Sequence, residues 1–97
     1  MIEVRWTEQA VDDLAAIKAF IARDSAAYAL SVTERLFTSV GQLQEFPDSG
    51  RVVPELQREE IRELIRAPFR IVYRRRAELV EILTVFHAAR EFPTSLR

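Results

Sequence analysis

Only the short stretch Arg23-Asp24-Ser25 separates two long segments whose apolar residues recur at helical spacing, and this constrains the fold more than any other feature of the sequence. In the first segment Ala10, Val11, Leu14, Ile17, Phe20 and Ile21 return every three to four residues, the period of an amphipathic helix. Thr7 precedes it as an N-cap, and Glu8 puts a negative charge in the first turn, where a helix favours one. Arg23 and Asp24 close this helix, and Asp24 or Ser25 caps the next. The second helix runs from about Ala26 to Glu45, with a stripe of Ala29, Leu30, Leu36, Phe37, Val40 and Leu43. Phe46-Pro47 ends it, because proline disfavours helical geometry in the residue before it. Two helices joined by so few residues run antiparallel, as a hairpin.

The rest of the chain must supply a surface for that hairpin. Ile2–Trp6 alternates apolar Ile2, Val4 and Trp6 with polar Glu3 and Arg5, the pattern of a short half-buried strand. Pro47-Asp48-Ser49-Gly50-Arg51 is a turn cluster, with Gly50 expected to serve through its backbone freedom. Residues 52–60 read as an irregular connection. Ile61–Arg66 is a strand broken at Ala67-Pro68, Phe69–Arg75 a second strand, Arg76-Ala77-Glu78 a tight turn, and Leu79–His87 a third strand, apolar almost throughout and therefore central. Residues 88–97 form a polar tail. The expectation is one α+β domain over residues 1–97: an N-terminal strand, then an antiparallel two-helix hairpin packed on a C-terminal antiparallel three-stranded meander.

Composition narrows the function classes. Ninety-seven residues leave no room for a second core. There is no cysteine, which removes disulfides and thiolate metal sites, and the single His87 cannot form a histidine metal site by itself. No metal and no cofactor are expected. No apolar run approaches the roughly 18 residues of a membrane span, and Met1–Trp6 lacks the basic-then-apolar pattern of a signal peptide, so a cytoplasmic protein with no membrane partner is expected. The net charge of −1 hides an asymmetry. Residues 1–50 carry four Lys/Arg and eight Asp/Glu, whereas residues 51–97 carry ten Arg and seven Glu. Arg62, Arg66, Arg70, Arg74, Arg75 and Arg76 fall within fifteen residues beside a single acid, Glu63. Guanidinium groups suit bidentate contact with phosphate or carboxylate; arginine-favouring codon usage gives the same count.

Several strings, taken together and in order, resemble ParE-type toxins of the RelE/ParE toxin–antitoxin superfamily. They are Val4-Arg5-Trp6-Thr7 with Ala10, Asp13-Leu14 and Ile17; the Ile21-Ala22-Arg23-Asp24-Ser25 junction; Pro47-x-x-Gly50-Arg51-x-Val53-Pro54-Glu55; Arg62-Glu63-Leu64-Ile65; Phe69-Arg70-Ile71-Val72-Tyr73-Arg74; Val80-Glu81-Ile82-Leu83; and His87-x-x-Arg90. The resemblance spans residues 4–90. It implies the toxic half of a bacterial toxin–antitoxin pair that poisons DNA gyrase and blocks replication. It also implies neutralisation by a ParD-like antitoxin in a heterotetramer or higher complex. Fold alone does not fix function: RelE-like members share the architecture but cut mRNA on the ribosome, and a non-toxic member that only binds its antitoxin is a third possibility.

Cleavage of RNA by its own 2′-hydroxyl needs an acid, a base and cations at the phosphate. Arg70 and His87 are the candidates. Against that reading, RelE-like chains usually end in a tyrosine or similar group, whereas no tyrosine follows Tyr73, and the chain lacks the basic surplus of a ribosome binder. His87 otherwise hydrogen-bonds a backbone group at its strand end, and Arg70 otherwise pairs with Glu63 or Glu81. Arg62, Arg66, Arg70, Arg74 and Arg90 are the candidate target-binding residues, with Arg62, Arg66 and Arg74 expected on one polar face. Asp12 and Asp13 diverge by about 100° on a helix, so they read as a solvated face rather than a metal pair. Tyr28, Leu56, Phe86 and Phe92, left over from the helical stripes, are the candidates for an apolar antitoxin groove.

Overall fold

The computed structural model describes residues 1–96, so the last residue of the expected tail, Arg97, lies outside the described residues. Strand β1 (Glu3–Trp6) leads into helix α1 (Glu8–Ala22) and helix α2 (Ala26–Ser39). Strands β2 (Arg51–Val52), β3 (Ile61–Arg66), β4 (Phe69–Arg75) and β5 (Leu79–His87) follow. The hairpin forms as its spacing predicts, and its caps are visible. The Thr7 hydroxyl accepts from Ala10 N–H at 3.2 Å and donates to the Ile82 carbonyl at 2.7 Å, fixing the start of α1 to β5. Of the two candidates for the second cap, Ser25 fills the position, accepting from Tyr28 N–H at 3.1 Å.

The second helix is shorter than its apolar pattern suggests. It ends at Ser39, and Val40–Gln44 continue as a 3-10 turn. Gly41 weakens the α-helix there, and in a 3-10 turn residues i and i+3 eclipse, which buries Val40 and Leu43 together. The stripes also shift. Leu30 and Phe37 are exposed and Val32 and Thr33 are buried in their place, while Val11 and Phe20 of α1 stand in solvent. Thr33 tolerates burial because its hydroxyl donates to the Ala29 carbonyl at 2.9 Å.

The sheet is larger than a three-stranded meander. Its order is β1-β5-β4-β3-β2, with β1 parallel to β5 and every other pair antiparallel. The two-residue β2 pairs Arg51 with Glu63 and Val52 with Arg62, at the start of what reads in sequence as an irregular connection. Both sheet faces are covered. On one, Leu36, Leu43, Leu64, Ile71, Tyr73, Val80 and Ile82 form the core against the helices. On the other, and contrary to the expectation of a single core, Val53, Ile61, Val72, Phe86 and Phe92 form a second, smaller core under residues 53–58 and the tail. The tail is therefore not simply polar: Phe92 is 5% exposed and meets Phe86 edge to face at 5.9 Å. Between Val72 and Tyr73 the β4–β5 register slips, and there Asp13 reaches across from α1 to accept from the Thr84 hydroxyl and, at 3.1 Å, from Val85 N–H. Asp13 is a tie between helix and sheet rather than part of a solvated face.

Tyr73 anchors the 47–51 turn. Its hydroxyl accepts from Gly50 N–H at 3.0 Å and donates to the Pro47 carbonyl at 2.8 Å. Gly50 is required for space and not for a left-handed backbone, since no glycine here has positive φ. A Cβ at Gly50 meets the Glu63 carbonyl at 2.6 Å and the Tyr73 hydroxyl at 2.7 Å, both fixed by the sheet. Burial holds the Tyr73 phenol above its ordinary pKa of 10. A raised folded-state pKa means that stability is complete below the unfolded value and falls as pH rises past it.

Two outcomes follow for chemical denaturation. Gly50→Ala lowers unfolding free energy by about 1–3 kcal/mol, the range for a forced insertion into packed surroundings. Tyr73→Phe costs about 1–3 kcal/mol at neutral pH, through the unpaired Gly50 and Pro47 groups, and removes the Tyr73 share of the stability loss above pH 10.

Candidate functional site

The pairing register decides which arginines can act together. Arg62 lies opposite Tyr73 and Arg66 opposite Phe69, so both share the face that carries the helices. Arg74 lies opposite Ile61 and Arg70 opposite Ile65, so both occupy the other face. Arg62, Arg66 and Arg74 therefore do not form one polar face, because the two-residue period of paired strands puts Arg74 on the reverse side.

Most of these side chains are engaged within the chain. Arg62 donates to the Gly50 carbonyl at 3.0 Å and approaches Asp48 at 3.9 Å, helping to hold the Tyr73-anchored turn. Arg66 donates to the Gln42 amide oxygen at the end of the helical hairpin. Arg75 pairs with Asp48 at 3.2 Å and Arg76 with Glu81 at 2.7 Å. The hydrogen bond from Arg76, reinforced by the charge of Arg74, holds the Glu81 carboxyl below its usual range. Arg74 stands in the field of Glu60 and Glu81.

Arg70 is the most constrained. It is 8% exposed. Its Nε donates to Glu63 at 2.6 Å, and its two terminal nitrogens donate to Glu55 at 2.8 and 2.7 Å. The guanidinium carbon lies 5.2 Å from the Phe86 ring centroid and 5.4 Å from that of Phe92. Glu63 is itself buried and also receives Arg51 Nε at 2.8 Å. Of the two acids expected opposite Arg70, Glu63 is its partner; Glu81 pairs with Arg76. The hydrogen bonds that Arg70 donates to Glu55, and then to Glu63, outweigh desolvation and raise the Arg70 pKa, so the guanidinium stays charged in its niche. Bidentate pairing plus two aromatic faces is the geometry of a structural arginine.

His87 pairs with Phe69, on the helix side of the sheet, and is exposed. Its Nδ1 accepts from Ala89 N–H at 3.0 Å, the backbone contact of a strand-end histidine. Arg70 pairs with Phe86, on the reverse side. The two candidate nuclease residues thus face away from each other and do not converge on one phosphate. Among the described residues, no group of three His, Cys, Asp or Glu side chains is placed to hold a metal.

The candidates for an apolar groove divide. Phe86 and Phe92 are buried in the second core, on the sheet face opposite the helices, and so offer almost no exposed apolar surface. Leu56 packs partly against the same core. Tyr28 is 61% exposed and does line a groove, of about 570 Å3, at the closed end of the helical hairpin. Its apolar wall is Ile17, Phe20, Ile21, Val32, Pro68 and Phe69, and its charged or ionisable rim is Arg35, His87 and Arg90. Arg23 lies 5.6 Å over the Phe20 ring, adding a fourth nitrogen base close by. Among the described residues no acidic side chain lines this groove. Sequence reasoning missed Phe20 and Arg35. Phe20 falls within the helical stripe, and only its place on the last turn of α1, beyond the cover of the sheet, marks it as exposed.

The comparisons with known proteins agree on one group. The family model described as the ParE toxin of the type II toxin–antitoxin system parDE matches residues 4–92. Y4kP of Sinorhizobium fredii, designated a toxin, is 40% identical over 95 residues, covering 96% of this chain and 95% of that one. Toxin RelE2 of Caulobacter vibrioides is 36% identical over 90 residues, covering 93% and 99%. Among solved structures, a chain of the chromosomal ParDE toxin–antitoxin system from P. aeruginosa superposes with a TM-score of 0.73 at 26% identity, over 90% of this chain and 96% of that one. A chain of the toxin–antitoxin complex RelBE2 from Mycobacterium tuberculosis superposes with a TM-score of 0.56 at 26% identity, over 89% and 96%.

The two arginines at the extremes of burial should behave differently. Arg70→Ala removes the buried guanidinium that both Glu63 and Glu55 receive and lowers unfolding free energy by about 3–5 kcal/mol, the cost of breaking a buried pair. Arg90→Ala, at an exposed position, changes it by less than about 0.5 kcal/mol. Urea unfolding followed by circular dichroism distinguishes the two.

Proposed function

The chain belongs to the ParE toxin family of type II toxin–antitoxin systems, and on that premise we propose that it poisons DNA gyrase and is neutralised by a ParD-like antitoxin. The observation that carries the gyrase reading over ribosome-dependent mRNA cleavage is the placement of Arg70 and His87. They lie on opposite faces of the sheet, and the donors of Arg70 are occupied by Glu55 and Glu63. A nuclease built on these two residues would have to break the ion network that holds its own sheet. A protein inhibitor acts by binding and needs no converging acid and base. In this reading the target-facing cations are those at or near the surface, Arg66, Arg74 and Arg90, whereas Arg62 and Arg70 maintain the framework.

The antitoxin occupies the groove at the closed end of the hairpin. Its wall of Phe20, Tyr28, Ile17 and Val32 offers apolar pockets, and its rim of Arg35, His87 and Arg90 selects an acidic segment. An amphipathic helix or an extended strand with apolar anchors and acidic flanks fits that chemistry. The assembly proposed is a heterotetramer of two toxins and two antitoxins or a higher complex.

Incubating the purified chain with gyrase and supercoiled plasmid should yield linear DNA trapped in cleavage complexes, and expression should induce the DNA-damage response. His87→Ala should remain fully toxic. Cleaved mRNA in a translating extract, with gyrase unaffected, would overturn the reading. Phe20→Glu and Tyr28→Glu, both at exposed positions, should weaken antitoxin binding by at least about tenfold, as expected for anchor residues, while the fold is retained. Raising salt should slow association through loss of steering by the cationic rim.

A further inference from the structure

A second groove runs between α1 and α2, and its chemistry differs from that of the first. Val11, Leu14 and Lys18 of α1 line one wall, and Thr33, Glu34 and Phe37 of α2 the other, around about 460 Å3. It shares no lining residue with the Phe20–Tyr28 groove. Val11 is 51% and Phe37 59% exposed, so the walls are apolar surface left in solvent. Phe37 is nevertheless held in place, since its ring stacks on Trp6 at 5.6 Å with the planes 16° apart. It offers a preorganised apolar platform rather than a loose side chain. The two charged residues of the groove, Lys18 and Glu34, sit on opposite walls, and among the described residues neither forms an ion pair.

We propose that this groove is the interface for a second copy of the same chain. The first groove carries cations and no acid, so it cannot pair with itself. This one carries one cation on the α1 wall and one anion on the α2 wall, which makes it self-complementary. A twofold axis parallel to the helices lays α1 of each copy against α2 of the other. Lys18 then meets Glu34 of the second copy, Val11 meets Phe37 of the second copy, and both contacts occur twice, as a closed isologous interface requires. Small side chains on both walls, Ala15 and Thr38, let the helices approach. The sheet and the Arg70 network lie on the far side and are undisturbed. The proposal does not rest on gyrase as target, and the Phe20–Tyr28 groove stays open in the dimer.

Sedimentation equilibrium of the full chain prepared alone tests it. The chain should form a dimer that dissociates on dilution. Lys18→Glu sets two acids against each other across the axis and should raise the dimer dissociation constant at least about tenfold. Adding Glu34→Lys to that variant should bring it back to within about threefold of the original, because the reversed pair is again complementary. Phe37→Glu should weaken the dimer to a similar extent as Lys18→Glu. Phe20→Glu, in the other groove, should leave self-association unchanged. Circular dichroism identifies any variant that fails to fold, and the doubly reversed chain reports independently of the Phe37 variant. A monomer at every concentration, a dimer indifferent to Lys18→Glu, or a loss not restored by the double reversal would overturn the proposal. So would Lys18 and Phe37 variants that lose only binding to the antitoxin, which would give this groove to the antitoxin instead.

Discussion

A carboxylate wholly removed from solvent is among the costliest groups a small protein can bury, and Glu63 places one in the middle of a strand. Its two oxygens are taken by Arg51 from β2 and Arg70 from β4. Arg70 in turn brings in Glu55 from the 53–58 connection and lies against the Phe86 and Phe92 rings of β5 and the tail. Side chains of β2, β3, β4 and the 53–58 connection thereby join in one ion network, with β5 and the tail supplying its aromatic walls. The reverse face of the sheet, which no helix covers, owes its closure to this network together with the small apolar cluster around Val72. The buried Glu63 accounts for Arg51 and Arg70. Acids and carbonyl or amide oxygens on neighbouring elements engage Arg62, Arg66, Arg75 and Arg76 nearer the surface, so much of the arginine run is tied into the fold.

The elements whose existence depends on periodicity were legible in the sequence: the two helices, their tight junction, and the strands 61–66, 69–75 and 79–87 are all present, although the second helix ends at Ser39 rather than near Glu45. What escaped depends on partners far along the chain. A two-residue strand at Arg51 has no period to read and exists because Glu63 and Arg62 lie beside it. The burial of Phe92 is invisible in a run of polar neighbours, since its pocket is assembled from Val53, Ile61, Val72 and Phe86. The change from α to 3-10 geometry after Ser39 reflects a choice between two ways of burying Val40 and Leu43, and only the position of the sheet decides it.

The site was less legible for the same reason. Alternation places Arg70 opposite Phe69 correctly, but whether His87 joins it depends on the β4–β5 register, and that register slips between Val72 and Tyr73. The groove residues were confused with core residues because a helical stripe reveals which way a helix faces and not where its cover stops. Phe20 and Phe37 lie on or beside the stripe, yet both stay more than half exposed, Phe37 even while stacked on Trp6 at the edge of the sheet. Tyr28 was identified because it falls outside any stripe. The same exclusion also picked Phe86 and Phe92, which are buried against the reverse face of the sheet, so it does not by itself mark exposed surface.

The parallel pairing of β1 with β5 sets Glu3 against Leu79 and Trp6 against Ile82, and the Thr7 cap of α1 is seated on the Ile82 carbonyl. The first strand and the first helix turn thus have no docking place until residues 79–82 have left the ribosome. Loops of this span close late and slowly. During synthesis the helical hairpin emerges well ahead of the sheet that must receive it, with its apolar stripe uncovered. The architecture therefore postpones the assembled surface until the strands are complete, so that the nascent chain passes through translation as a hairpin in search of a sheet and not as a finished binding protein.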